Sequence, residues 1–255
     1  MRAFAMNIYE GLEAELYDDF WKDEVEGDAF FFDLLHARGG RALEAACGTG
    51  RILIPLKKAG LDVVGIDSSQ VMLDICRRKA AAAGLAVELH CCRMEELQLN
   101  QQFTTICVPA FSFQLVYPLD IADRALRGFA GHLEAGGQLL LSIFVPSLEP
   151  GEEGEGLWHL RKEAIRESDG ARIACLQSNT FDARHRTLHV KNRYEVYDYY
   201  GVLEQSESGE MLIQWHAPNE LAARMHAAGF EDVTIIGDEQ PDEDGNAVLF
   251  FVATK

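Results

Sequence analysis

The sequence predicts an α/β fold: a doubly wound, mostly parallel sheet of seven strands, with an antiparallel β insertion before the last helix and strands. Three observations carry that expectation. Between Arg41 and Ala80, short apolar runs alternate with helical spacing, and a glycine turn joins the first run to the first helix. Two further apolar runs, over 103–109 and 138–145, flank an amphipathic helix over 121–133. Beyond Glu149 the character changes to candidate strands separated by turn residues, before a helix and two strands close the chain.

Taken in order, residues 1–40 carry two helical patterns. One contains Leu12, Leu16, Tyr17 and Phe20; the other contains Phe30, Phe31, Leu34 and Leu35 and stops at Gly39-Gly40. They form a helical cap on a main domain over 1–148 and 217–255. The run 41–46 is apolar and short, as a buried strand should be. Cys47-Gly48-Thr49-Gly50 breaks it with two glycines, which permit a tight turn and let a ligand approach bare backbone. A helix follows over 51–59, with Pro55 early enough to be tolerated and Gly60 as its stop. The strand over 61–67 ends on Asp67, 19 positions after Gly48. Ser68 is expected to cap the next helix, with Val71, Met72, Ile75 and Cys76 facing inward.

A strand, a glycine turn at a helix N-terminus, and a second strand ending in an acid make a nucleotide half-site: backbone N–H groups face the ligand and the acid can accept from a ribose. A dinucleotide fingerprint needs a third glycine where this chain has Leu53, which disfavours an NAD-dependent oxidoreductase. The Gly-Lys-Ser or Gly-Lys-Thr of a phosphate loop is also absent. Glu44 stands three residues before Cys47, where a carboxylate repels a pyrophosphate but suits a ligand carrying a sulfonium and an amino group.

The residues Glu44-Ala45-Ala46-Cys47-Gly48-Thr49-Gly50-Arg51, with Gly65-Ile66-Asp67-Ser68 and Met72-Leu73, resemble class I S-adenosylmethionine-dependent methyltransferases of the small-molecule type. The similarity extends more loosely to about Pro146. It implies a Rossmann-like fold and S-adenosyl-L-methionine as the methyl donor. The backbone around Ala45, Cys47, Gly48, Thr49 and Gly50, with Glu44, would hold the donor's amino-acid portion, and Asp67 its ribose, with Ser68 and Met72 nearby. The segment 14–20 resembles the leading segment that covers the cofactor in many such enzymes; Tyr17 then lies against the donor, or else packs its helix onto the sheet. The chain also departs from the family. Arg93 stands where an acid is expected, so that adenine's exocyclic amine would instead meet Glu95, a side-chain amide or backbone carbonyls, and Thr104 stands where an Asp is frequent. Met94 either sandwiches the base or packs in the core. These departures keep open a non-catalytic, adenosyl-binding regulator.

Pro109 and the loop after it reach the carboxyl end of the sheet, where ligands sit in open α/β folds, and the resemblance places Phe113 and Tyr117 on the substrate wall. Methyl transfer is an in-line displacement, so positioning alone contributes much of the acceleration. A hydroxyl acceptor also needs a base. His216 and Tyr117 are candidates for that role, and no catalytic residue is assigned. Arg193, among the insertion's tyrosines, could grip an acidic or sugar-like substrate; tyrosines that pair strands account for the same stretch.

The insertion over 149–216 opens on the acidic, glycine-rich Gly151-Glu152-Glu153-Gly154-Glu155-Gly156. Its candidate strands fall at about 157–167, 171–181, 187–198 and 211–216, with Ser206-Glu207-Ser208-Gly209 read as a turn. Such an insertion is a natural lid or homodimer surface. With 23 Lys and Arg against 41 Asp and Glu, the net charge of −18 disfavours a nucleic acid or an anionic membrane surface as partner. The six cysteines show neither metal-ligand spacing nor a disulfide framework, so no metal is expected and the cysteines read as reduced. Neither a signal peptide nor a long apolar span is visible, and a cytoplasmic location is expected.

Overall fold

A computed structural model describes residues 9–21, 27–145, 156–237 and 247–255. The acidic glycine-rich stretch and the acidic loop before the last strand lie largely or wholly outside these residues. The described residues divide into two compact units, one formed by 27–145, 214–237 and 247–255, the other by 9–21 and 156–213.

In the first unit, helix α3 (Asp28–Arg38) leads into strand β1 (Arg41–Ala45), helix α4 (Leu53–Lys58), strand β2 (Asp62–Asp67), helix α5 (Gln70–Ala82), β3 (Glu88–Cys91) and β4 (Phe103–Val108). Helix α6 (Leu119–His132), β5 (Leu133–Val145), α7 (Pro218–Ala228), β10 (Asp232–Gly237) and β11 (Ala247–Thr254) complete it. The seven strands run β10-β11-β5-β4-β1-β2-β3. The ladders β1–β2, β1–β4, β2–β3 and β4–β5 are parallel, while β11 lies antiparallel to both β5 and β10. The strand order reverses between β1 and β4, so the carboxyl ends of these two strands border a switch point, with the end of β2 next to β1.

Each face of this sheet carries its own core. Leu43, Ile106, Leu139 and Phe251 pack with Leu126 and Phe129 of α6 and Leu221 and Met225 of α7. Phe31 and Leu35 of α3, Leu53 and Leu56 of α4, and Leu73 and Cys76 of α5 cover the other face. Helix α7 starts on Pro218 and ends at Gly229 in the left-handed region, as its sequence signals require. The Glu134–Gly137 stretch, which lies between the expected helix over 121–133 and the expected strand over 138–145, belongs to β5, whose register against β4 shifts between Phe103 and Thr105. The Thr104 hydroxyl lies within 3.0 Å of the Gly39 and Arg41 carbonyls, so this departure from the family ties down the entry to β1.

In the second unit, α1 (Gly11–Glu15) and α2 (Tyr17–Trp21) accompany a four-stranded antiparallel sheet in the order β6 (His159–Ile165), β7 (Arg172–Asp182), β8 (Thr187–Tyr197), β9 (Leu203–Gln214). Gln214, the last residue of β9, already belongs to the first unit. Leu12, Leu16 and Phe20 pack on Ile173, Cys175, Tyr194 and Val196. The expected cap over 1–40 is therefore divided, with α3 on the parallel sheet and α1 and α2 on the antiparallel one. Strand β9 is longer than its sequence suggests, because Ser206-Glu207-Ser208-Gly209 is extended rather than turned. The Glu207 carboxylate accepts from the Leu12 backbone N–H at 2.8 Å, so this exposed half of the strand has a partner at the start of α1.

Candidate donor site

The site begins where β1 stops. Ala46 takes a left-handed conformation (φ +62) and turns the chain out of the sheet; Cys47 N–H then donates to the Ile66 carbonyl, and Gly50 N–H closes the turn on the Cys47 carbonyl at 2.8 Å. Gly50 (φ +82) has no room for a side chain: a Cβ there would lie 2.6 Å from Cys76 Sγ. At Gly48 (φ +52) a Cβ would meet, among the described residues, only Met72 Cε, at 3.4 Å. The turn is thus packed on the helix side and nearly bare at Gly48, the combination a close-approaching ligand needs. Thr49 is buried, with its hydroxyl 3.3 Å from Lys79 Nζ of α5.

Asp67 closes the opposite side. Its Oδ2 accepts from Gly48 N–H and its Oδ1 from Ser69 N–H, both at 2.8 Å, so the carboxylate links the turn to the start of α5. Each oxygen keeps acceptor capacity for a hydroxyl pair. Burial raises the Asp67 pKa, while the backbone N–H groups of Ser69, Gly48 and Ser68 oppose that rise. Ser69, not Ser68, caps α5: its hydroxyl accepts from Met72 N–H at 3.2 Å. The one-residue displacement follows from Asp67, whose carboxylate holds the Ser69 amide. The buried face of α5 is correspondingly Met72, Leu73, Cys76 and Ala80, and Val71 is exposed.

Glu44, inside β1, is 2% exposed. It accepts from the Leu53 backbone N–H, yet its Oε2 is buried without a hydrogen-bond partner. Its pKa is raised well above 4.5, first by burial and then by Asp28 and Asp67, against the opposing field of Arg51. An unpartnered buried carboxylate oxygen is costly unless a donor or cation arrives to fill it. Sequence reading missed two contributors here. Arg51, adjacent to the motif, forms an ion pair with Asp28 at the head of α3, and nothing in the local pattern around Asp28 announces that contact.

The remaining expected site residues are dispersed. Arg93 Nε donates to Glu95 Oε1 at 2.5 Å, so the departing residue neutralises the acid two positions on. Met94, partly buried, packs against the core that contains Phe129. Pro109 is buried at the end of β4, and Ala110 and Phe111 after it both have positive φ. Phe113 is fully buried, and the His216 ring lies 5.5 Å from it, so these two expected residues do meet. Tyr117 is partly exposed just before α6. Gln114, which no local pattern marked, holds the end of β5 in place: its Nε2 donates to the Phe144 carbonyl and its Oε1 accepts from Phe144 N–H. In the other unit, Tyr17 meets Tyr9 edge-on, and Arg193 pairs with Glu195 and lies 5.2 Å from the Trp158 ring. Among the described residues no cluster of three or more His, Cys, Asp or Glu could hold a metal ion. No helix among them is long and apolar enough to cross a membrane.

The profile of a family described as a methyltransferase domain matches residues 42–137, which span the turn, Asp67 and β4. A dTDP-3-amino-3,4,6-trideoxy-alpha-D-glucopyranose N,N-dimethyltransferase of Streptomyces venezuelae is 29% identical over 141 residues, 52% of this chain and 58% of that protein. A carboxy-S-adenosyl-L-methionine synthase of Methylococcus capsulatus is 34% identical over 126 residues, 46% of this chain and 48% of that protein. The chain thus spans about half the length of the curated relatives it matches. Among solved structures, the S-adenosylmethionine-bound amino pentose methyltransferase CalS10 of Micromonospora echinaspora superposes with a TM-score of 0.69 over 97% of this chain and 98% of that one, at 22% identity, a likeness of fold. The matching profile makes residues 42–137, which hold the glycine turn and the acid-terminated second strand, similar to a methyltransferase domain, and the fold is shared with solved methyltransferase structures.

Proposed function

We propose that the protein transfers a methyl group from S-adenosylmethionine to a small-molecule acceptor. One observation carries this reading: a buried Glu44 oxygen without a partner stands beside a nearly bare glycine turn whose opposite wall is the Asp67 carboxylate. That set fits the donor, which combines an ammonium, a sulfonium and a ribose diol. Glu44 and the turn backbone (Ala45, Cys47, Gly48, Thr49, Gly50) would hold the amino-acid end; Asp67, flanked by Ser68 and Met72, would hold the ribose; Met94, Glu95 and Pro109 would border the base. Once bound, the donor supplies an electrophilic methyl group on sulfur.

The chain's own contribution is placement. Glu44 offsets positive charge, Asp67 fixes the sugar, and burial of both keeps water from competing for them. Tyr117 and His216 are the candidate bases, and Arg193 a candidate acceptor contact. Relatives named for amino-sugar methylation favour an amine on a sugar as acceptor, a group that needs little base assistance. A net charge of −18 disfavours a polyanionic partner. All six cysteines are free, which favours a reducing compartment such as the cytoplasm. Exposed Leu160 and Ile165 on the edge strand β6 favour a homodimer through the insertion; sedimentation as a monomer at high concentration would remove that part.

Asp67→Ala should weaken S-adenosylmethionine binding by about 1–3 kcal/mol by calorimetry. Homocysteine release with a panel of amino sugars, hydroxylated sugars and carboxylates tests the transfer. Unchanged donor affinity in the variant would refute the Asp67 assignment, and donor binding without transfer to any acceptor would leave a binding protein.

A further inference from the structure

The head of α3 and the glycine turn are joined by one contact that the donor reading does not use. Asp28, the first residue of α3, forms an ion pair with Arg51, and the two side chains are only 18% and 20% exposed. At that depth the attraction is screened less than at the surface. The cation so held acts on the buried carboxyl of Glu44, whose Oε2 has no partner. Among the described residues, the other groups acting on Glu44 are acidic: Asp28 and Asp67 carry carboxylates, and Cys47 and Cys107 present buried thiols.

We propose that Asp28 is a positioning residue for donor binding: by holding the Arg51 guanidinium it keeps that cation from closing on Glu44 and leaves the Glu44 oxygen open to the donor's ammonium. The inference rests on the methyl-donor reading of this site. Without Asp28, Arg51 would be left to turn to Glu44, which accepts from the backbone N–H of Leu53, two residues beyond Arg51 in the chain, and whose Oε2 has no partner. An internal Arg51–Glu44 pair would satisfy the free protein and exclude a cationic ligand, since both cations need the same oxygen. Asp28 thus favours the binding-competent arrangement at the expense of a self-satisfied one. It touches neither donor nor acceptor.

The test is a double-mutant cycle read by calorimetric titration of S-adenosylmethionine into the wild type, Asp28→Asn, Arg51→Gln and the double variant, with each fold checked by circular dichroism. Asp28→Asn should raise Kd about tenfold without lowering Tm. In the Arg51→Gln background the same change should alter Kd by less than about twofold, because no guanidinium remains to close. Arg51→Gln alone should bind the donor at least as tightly as the wild type, a result that does not depend on Asp28→Asn folding. An equal loss in both backgrounds, no loss on Asp28→Asn, or weakened binding by Arg51→Gln would overturn the inference. A wild type that ignores S-adenosylmethionine would instead overturn the donor reading beneath it.

Discussion

Two buried glutamates, one in each unit, are treated in opposite ways. In the antiparallel unit, Glu13 receives the Tyr194 hydroxyl at 2.9 Å on one oxygen and the Tyr9 backbone N–H at 3.0 Å on the other. In the parallel-sheet unit, Glu44 is left with an open oxygen. Burial raises the pKa of both, yet hydrogen bonds from Tyr9 and Tyr194 oppose the rise at Glu13 on both oxygens. A carboxylate satisfied within the protein is architecture; one kept unsatisfied in a packed site stores a cost that a ligand can relieve. The difference teaches where each unit's polar groups are directed: inward at Glu13, toward a visitor at Glu44.

Two glycines sharpen the contrast most strongly. Gly50 and Gly170 have similar positive φ, +82 and +76, but a Cβ at Gly50 would strike Cys76 Sγ and Ile54 while one at Gly170 meets nothing within 4 Å. Gly50→Ala should cost about 3 kcal/mol by chemical denaturation, combining left-handed strain with overpacking. Gly170→Ala should cost only the strain, about 1–2 kcal/mol. Equal losses would show that the donor turn is no more tightly built than an ordinary hairpin.

Neutralising Glu44 should separate function from stability. Glu44→Gln should weaken donor binding by about 1.5–3 kcal/mol, the value of a charge-assisted hydrogen bond, while stabilising the free protein by about 1 kcal/mol at alkaline pH. The sign follows from the raised pKa. Between 4.5 and the folded value, the native protein keeps a proton that the unfolded chain has released, so stability falls as pH rises through that window. Thermal melts of Glu44→Gln across pH should lack this part of the fall. A variant less stable than the wild type above the window would break the comparison.

Tyr194→Phe should move the other way, lowering stability by about 1–2 kcal/mol because Glu13 loses a donor while remaining buried. Arg172→Ala, at an exposed pair with Glu163 beside the Tyr197 ring, should leave Tm unchanged within measurement.

How much was legible follows from where information is local. The runs over 41–46, 61–67, 103–109 and 138–145 announced themselves as short apolar stretches bounded by glycine, proline or an acid. The candidate donor site could be proposed from the sequence because its parts, Glu44, Gly48, Gly50 and Asp67, lie on one βαβ unit at fixed spacing. The cap on α5 was misplaced by one residue because Ser68 and Ser69 are equivalent in sequence and only the reach of Asp67 distinguishes them. The first half of β9 was hidden because its exposed, polar residues offer no alternation, and its partner at Leu12 is 195 positions away in sequence. Asp28 was invisible for the same reason: its meaning depends on a contact with Arg51, and no local pattern encodes it.

The central claim is that the open Glu44 oxygen is filled by the donor's positive charge. Calorimetric titration of S-adenosylmethionine into the wild type and Glu44→Gln across a range of pH tests it directly. Wild-type affinity should rise with pH as Glu44 titrates, because the arriving cation favours the Glu44 carboxylate over the acid, and Glu44→Gln should lack that rise. The same pH dependence in both proteins, or no binding at about millimolar donor, would contradict it.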